Sequence, residues 1–197
     1  GVADDPTLSA SDASGTEDQA IDLNITADTT DGSETLSVSI GGIPDGATLT
    51  SGGETITIDE NGNADVSPDQ LAGLQITPPA DSDGDFQLTV TATSADGDDT
   101  ATSTSTMDVS VAADADAPAL NLADSAGSED SAISLDISSG LTDTDGSETL
   151  SVTIGDIPAG STLTSGFQTI TVDENGNADI DPSQLAGLRI TPPDDFS

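Results

Sequence analysis

The chain has no cysteine, histidine, tryptophan or tyrosine, and a single basic side chain, Arg189, stands against 38 Asp and Glu in 197 residues. Each absence removes a class of function. Without His or Cys there is no Ser-His-Asp triad, no Cys-His dyad, no zinc finger and no haem or iron–sulfur ligation. Without cysteine, stability outside the cell cannot come from disulfides. One cation cannot neutralise a run of phosphates, which excludes nucleic acid as a partner and excludes binding to anionic membranes through a polybasic face. No apolar run is long enough for a transmembrane helix, so direct membrane insertion is not expected. The first residues, Gly1-Val2-Ala3-Asp4-Asp5, lack the basic and apolar regions of a signal peptide, which predicts an internal piece of a longer chain. A formal charge of −37 makes cations the obvious counterpart.

Leu, Ile, Val and Phe make up about a fifth of the residues, a composition that beside such charge reads as disorder unless order is argued. An internal repeat supplies the argument. Asp31-Gly-Ser-Glu-Thr-Leu-Ser-Val-Ser-Ile returns from Asp145 as Asp-Gly-Ser-Glu-Thr-Leu-Ser-Val-Thr-Ile, an offset of 114 residues. Asp59-Glu-Asn-Gly-Asn-Ala-Asp recurs from Asp173, and Leu71-Ala-Gly-Leu-Gln-Ile-Thr-Pro-Pro recurs from Leu185, at the same offset. Earlier segments run two residues closer, Glu17-Asp18 matching Glu129-Asp130. A period of this size is a whole domain. The expected organisation is therefore two copies, 1–113 and 114–197, the second ending before any counterpart of Phe86 to Val111 and so lacking its last two strands. A cut chain, a domain inserted at this loop, or strands supplied by a neighbouring chain would each account for that.

Periodicity within each copy is two. Apolar residues alternate with Ser and Thr at Ile21, Leu23 and Ile25, at Leu36, Val38 and Ile40, at Ile56 and Ile58, at Phe86, Leu88 and Val90, and at Met107, Val109 and Val111. Each run predicts a half-buried strand, and runs spaced by about ten residues with Gly, Pro, Asn and Asp between them predict an all-β fold, a tandem of Greek-key β-sandwiches. Asn61-Gly62 and Asn175-Gly176 fit type I′ hairpin turns, the first joining 55–59 to 64–67. Ser67-Pro-Asp-Gln and Asp181-Pro-Ser-Gln predict one helical turn each, stopped at Gly73 and Gly187.

The acidic residues cluster between strands. Asp114 and Asp116 lie at the junction of the copies. Glu17 and Asp18 follow the matching position of copy one, Asp81 and Asp83 precede the junction, and Asp143 and Asp145 follow it, at spacings that strands running the length of a sandwich would bring to facing ends. Glu129 repeats Glu17, and Asp98, between two long strands, is placed to add a ligand at the far end of copy one. Converging carboxylates either take up protons or bind a cation. An all-oxygen donor set in flexible loops suits Ca2+ better than Mg2+, zinc or copper. Asp59-x-Asn-x-Asn-x-Asp65 resembles the start of an EF-hand loop, but its twelfth position is Gln70 rather than Glu, which favours a plain turn.

Asp114-x-Asp-Ala-Pro118, the glutamate of Ser128-Glu-Asp130, Asp143-x-Asp-Gly-Ser-Glu-Thr-Leu-Ser-Val and Gln184-Leu-Ala-Gly-Leu-x-Ile-Thr-Pro-Pro together resemble the tandem extender repeats of giant bacterial adhesins of the RTX type, exported by type I secretion. The resemblance spans nearly the whole chain. It implies cadherin-like or immunoglobulin-like domains in a rod, with calcium between successive domains stiffening a fibre on the bacterial cell surface for adhesion or biofilm formation. Similarity to cadherin repeats in particular implies that Glu17, Asp81 or Asp83, Asp114, Asp116, Asp143 and Asp145 share the junction. Copy one departs from the pattern, with Thr29 in the place of Asp143.

The function expected is a structural module whose partners are Ca2+ and the neighbouring repeats of its own chain. The alternative is an adhesive module that itself binds a glycan, ice or a sister molecule, for which no aromatic or Arg cluster speaks. An enzyme ranks last, for want of an activated nucleophile or a tuned base.

Overall fold

The computed structural model describes residues 1–128 and 130–193, which divide into two compact units, Gly1–Asp114 and a second beginning at Ala115. Alternation of β-branched residues with Ser and Thr makes almost every element a strand. The first unit contains β1 (Thr7–Ala10), β2 (Ala13–Thr16), β3 (Ile21–Asp22), β4 (Ile25–Asp28), β5 (Thr35–Gly41), β6 (Thr48–Ser51), β7 (Glu54–Ile56), β8 (Ala64–Val66), β9 (Leu74–Thr77), β10 (Phe86–Asp96) and β11 (Asp99–Ala112). One sheet has the order β2-β11-β10-β5-β8, and it faces strands ordered β3-β9-β6-β7 and the pair β1-β4. β2 runs parallel to β11, and the remaining pairs are antiparallel. The chain crosses repeatedly between the two layers, so the unit is a Greek-key β-sandwich, as its periodicity predicted. Its core lies between the layers, where Ile40, Leu49, Ile76, Leu88, Val90 and Val109 are completely buried. Each such side chain contributes roughly 1.5–3 kcal/mol of transfer free energy.

β10 and β11 form the longest hairpin, in register from Phe86 opposite Val109 to Asp96 opposite Asp99. Its two-residue loop places Gly97 at φ 68° in the first position, which suits a II′ turn. One face of β10 presents Leu88, Val90, Ala92 and Ser94 to the interior, and the Ser94 hydroxyl donates to the Asp4 carbonyl.

Two sequence expectations change. The run from Ile21 to Ile25 is not one strand. Leu23 N donates to Leu74 O at 2.9 Å while Asn24 O accepts from Ser11 N at 3.2 Å, so the chain switches from β9 to β1 as its neighbour and breaks into β3 and β4. The Asn61-Gly62 turn is not a type I′ hairpin. Asp59 O accepts from Gly62 N at 3.1 Å and only Gly62 (φ 74°) has a positive φ, so Glu60 and Asn61 are the central residues of an ordinary turn. The strands it joins, β7 and β8, lie in opposite layers. A side chain at Gly62 would also meet Ile43 O at 2.5 Å, so the glycine is required twice over. The second copy repeats this geometry at Asp173 and Gly176.

The second unit contains β12 (Ala119–Ala123), β13 (Ile133–Ser134), β14 (Asp136–Gly140), β15 (Val152–Ile154), β16 (Thr162–Ser165), β17 (Gln168–Ile170), β18 (Ala178–Ile180) and β19 (Leu188–Thr191). β13-β19-β16-β17 reproduces the four-stranded layer of the first unit, while β12-β14 and β15-β18 are two-stranded. The expected helical turns are present as short 3₁₀ turns at Pro68–Gln70 and Pro182–Gln184. In each, the glutamine Oε1 accepts from the capping residue's N, Ser67 at 2.9 Å and Asp181 at 3.1 Å.

Candidate functional site

The acidic residues are positioned by strand ends. Glu17 follows β2, and its N donates to Ala112 O at 3.0 Å, which sets it beside the last residue of β11. Its side chain is 2% exposed, and its Oε1 accepts from Asp114 N at 2.6 Å. Asp18 has the left-handed φ of 57°, which Asp tolerates better than most residues, and its Oδ1 accepts from Asp81 N at 3.2 Å. Asp81 is left-handed as well, at φ 53°. Asp85, in the same loop as Asp81 and Asp83, accepts from Val111 N at 2.8 Å. Glu17, Asp18, Asp81 and Asp114 thus share the end of the first unit at which β11 finishes. Asp98 sits at the tip of the β10–β11 hairpin, at the far end of the copy. The eleven residues of β10 separate it from Phe86 by roughly 33 Å. Glu129 lies outside the described residues.

In the second unit the carboxylates wind into one loop beside the first residues of that unit. Asp143 is 1% exposed, and its Oδ1 accepts from Asp145 N at 2.8 Å while its Oδ2 accepts from Ser147 Oγ at 3.1 Å. Asp145 Oδ1 accepts from Ser147 N at 2.8 Å. Glu148 Oε1 accepts from Asp116 N, and Thr142 Oγ1 donates to Ala117 O at 3.2 Å. These bonds pair Asp143 with Asp145 and Glu148 with Asp116, on one loop and the segment beside it.

Copy one builds part of the same arrangement. Glu34 Oε1 accepts from Asp4 N at 2.6 Å, and Asp31 Oδ1 accepts from Ser33 N at 3.0 Å. In both copies the second oxygen of the glutamate, Glu34 Oε2 and Glu148 Oε2, is buried and makes no hydrogen bond among the described residues. Sequence reasoning had Asp85 and Glu148 within its acidic clusters without naming them as ligands, and it missed Glu34. For the two glutamates the signal was available, because Asp-Gly-Ser-Glu-Thr survives intact in both copies immediately ahead of an alternating strand. Burying a carboxylate oxygen without compensation costs free energy, and a hard cation offsets that cost with oxygen ligands alone.

The Asp59 loop is a plain turn. Asp59 Oδ1 accepts from the backbone N of Asn61 at 2.9 Å and of Asn63 at 2.8 Å, and these donors, Asn63 foremost, hold its carboxyl below the usual range. Asp173 repeats this with Asn175 and Asn177, and its carboxyl is lowered for the same reason. Gln70, at the twelfth position, is committed to capping Ser67.

No family model matches the sequence, and no curated protein matches it. Among solved structures, the titin domains Z1Z2 in complex with telethonin are 13% identical, covering 95% of this chain and 81% of that one at a TM-score of 0.34. Murine CEACAM1b is 15% identical, covering 95% and 93% at 0.29, and extracellular domains 3–5 of Drosophila OTK are 11% identical, covering 90% and 52% at 0.24. At such scores these likenesses carry no argument about function. The β-sandwich rests on the strands and their pairing. Among the described residues no helix is long and apolar enough to cross a membrane.

Proposed function

We propose that the chain is a non-catalytic extender segment of an extracellular adhesin, in which Ca2+ bound by the carboxylates flanking the junction stiffens successive domains. The observation that carries the reading is the placement of buried acids. Glu17 in the first unit and Asp143 in the second are almost wholly buried, and Glu148 has one buried oxygen that makes no hydrogen bond among the described residues. All of them stand on segments that adjoin Asp114 and Ala115 within their own unit. The donor set is entirely oxygen and entirely anionic, which fits calcium. Asp114, Asp116, Asp143, Asp145 and Glu148 are the residues that would hold it, with Glu17, Asp18, Asp81 and Asp83. Bound calcium supplies positive charge that offsets carboxylate repulsion.

Free calcium at about 100 times its dissociation constant would stabilise the fold by roughly 2.7 kcal/mol per site. The same linkage leaves the chain less stable at cytosolic calcium levels, which suits export of an unfolded polypeptide to the bacterial surface by type I secretion. Thermal unfolding in millimolar calcium and in EDTA tests the proposal. The melting temperature is expected to fall in EDTA, and Glu148→Gln, which keeps an acceptor but loses the charge, is expected to shrink that difference. A melting temperature indifferent to EDTA overturns the calcium reading.

A further inference from the structure

Of the six asparagines in the chain only Asn61 and Asn175 precede a glycine, and they stand at equivalent places in the two units. Asn-Gly is the dipeptide most open to spontaneous deamidation, because glycine sets no side chain in the way of ring closure. In that reaction the glycine N attacks the asparagine Cγ. The N–Cγ bond forms as the Cγ–Nδ2 bond breaks, and the glycine's proton leaves with ammonia. Water then opens the succinimide to aspartate or isoaspartate. Both asparagines are exposed, so solvent access does not protect them. The backbone does. Gly62 N donates to Asp59 O at 3.1 Å, and Gly62 O accepts from Ile43 N at 3.0 Å. Asp59 Oδ1 holds the residues on either side, accepting from Asn61 N at 2.9 Å and Asn63 N at 2.8 Å. The second unit repeats every bond. Gly176 N donates to Asp173 O at 3.1 Å, Gly176 O accepts from Ile157 N at 2.9 Å, and Asp173 Oδ1 accepts from Asn175 N at 2.9 Å and Asn177 N at 2.7 Å. In each unit the attacking nitrogen is already a donor, and the glycine that carries it is pinned at both its N–H and its carbonyl.

We propose that Asn61 and Asn175 are latent modification sites, held shut by the Asp59 and Asp173 carboxylates and deamidated only when their loops open. An N–H spent on a hydrogen bond must be released before its nitrogen can attack, so the folded chain reacts at the unfolded rate scaled by the fraction of time the loop is open. Opening then leaves a lasting mark. Aspartate puts a second negative charge beside Asp59. Isoaspartate adds a carbon to the backbone next to Gly62, where even a Cβ would meet Ile43 O at 2.5 Å. The inference is independent of calcium.

The test incubates the full 197-residue chain in mildly alkaline buffer, with and without unfolding urea, and follows both asparagines by mass spectrometry of proteolytic peptides. Folding is expected to slow deamidation at Asn61 and Asn175 by about tenfold or more. Asp59→Ala is expected to speed the reaction at Asn61 several-fold in native buffer, with Asn175 of the same chain unchanged as internal reference. Asp59→Asn, which keeps an acceptor oxygen, is expected to speed it less. Glu60→Ala, at the exposed first central position of the same turn, is expected to leave the rate as it was. Amide exchange at Leu88 and Val90, in the core of the unit, is read on the same samples and is expected to stay unchanged. Equal rates with and without urea overturn the proposal, as does an Asn61 indifferent to Asp59→Ala or equally sensitive to Glu60→Ala. Deamidation that quickens only in step with exchange at Leu88 and Val90 overturns it too, because the protection then belongs to the unit as a whole and not to the carboxylate.

Discussion

Leu49 and Leu163 occupy equivalent places in the two units, and both are completely buried; so are Leu74 and Leu188. Ile40 and Ile154 are equivalent as well, yet Ile40 is completely buried and Ile154 is half-buried. Within each of these three pairs the residue type is the same and the surrounding sequence nearly identical. What differs is the neighbour. Leu49 and Leu163 stand on β6 and β16, within a layer that both units build, β3-β9-β6-β7 and β13-β19-β16-β17, whereas Ile40 stands on β5, which β10 flanks in the same sheet, and among the described residues Ile154 on β15 has no such flanking strand. Alternation decides which face of a strand is apolar, and the partner strands decide whether that face is dry.

The largest expected effect follows from that contrast. Ile40→Ala should destabilise the first unit by about 2–5 kcal/mol, because a cavity is left where nothing can collapse. Ile154→Ala should cost the second unit about 1 kcal/mol, since water already reaches part of the side chain. Leu49→Ala and Leu163→Ala, by contrast, should cost their units alike. Urea unfolding followed by amide exchange of each unit separates these contributions, and equal costs for Ile40→Ala and Ile154→Ala would remove the distinction.

The same contrast explains what could be read from the sequence. Signals confined to a few residues were legible: the alternating runs at 36–40, 86–90 and 107–111 and the Pro68 and Pro182 turns with their capping glutamines correspond to structure. Features set by distant neighbours were not. Ile21 to Ile25 has the pattern of one strand, but its division into β3 and β4 depends on β9 and β1 arriving from elsewhere. Asn61-Gly62 has the dipeptide of a hairpin, but the carboxylate of Asp59 captures the donors of Asn61 and Asn63 and turns the chain toward the opposite layer. At the site, the acidic loops were visible as clusters. Glu34 was not, because it stands just ahead of an alternating strand and reads as its polar start until Asp4 N is seen to donate to it.

Glu34 and its counterpart Glu148 give the next prediction. Glu34→Ala and Glu148→Ala each remove an acceptor for a backbone N–H, at about 1.5–3 kcal/mol for a hydrogen bond to a charged group. Without calcium the two should cost nearly the same, although Thr29 stands where the second copy has Asp143. With calcium Glu148→Ala should cost more, because Asp143 and Asp145 share its loop and Asp116 N donates to it. Chemical denaturation of both variants in EDTA and in calcium checks this, and a larger loss for Glu34→Ala in calcium would count against the site.

The smallest effect belongs to Asp59 and Asp173, both exposed and built by their own loops, so the two units should respond alike. The backbone N–H groups of Asn63 and Asn177 lead the causes that hold these carboxyls below their ordinary value of 3.8. A folded-state value below the unfolded one contributes stability that is present in full above the unfolded value and lost as pH falls through the folded one. Asn in place of Asp keeps an acceptor oxygen but cannot ionise, so Asp59→Asn and Asp173→Asn should lower stability slightly and equally near neutrality. In each case the gap from the parent should close as pH drops below 3.8, where the parent loses its own charge. Stability measured across an acid titration reads that closure. A gap that stays constant into strong acid would mean that these turns are held by the geometry of the acceptor rather than by its charge, and a gap in one unit alone would mean that even this loop feels the strands around it.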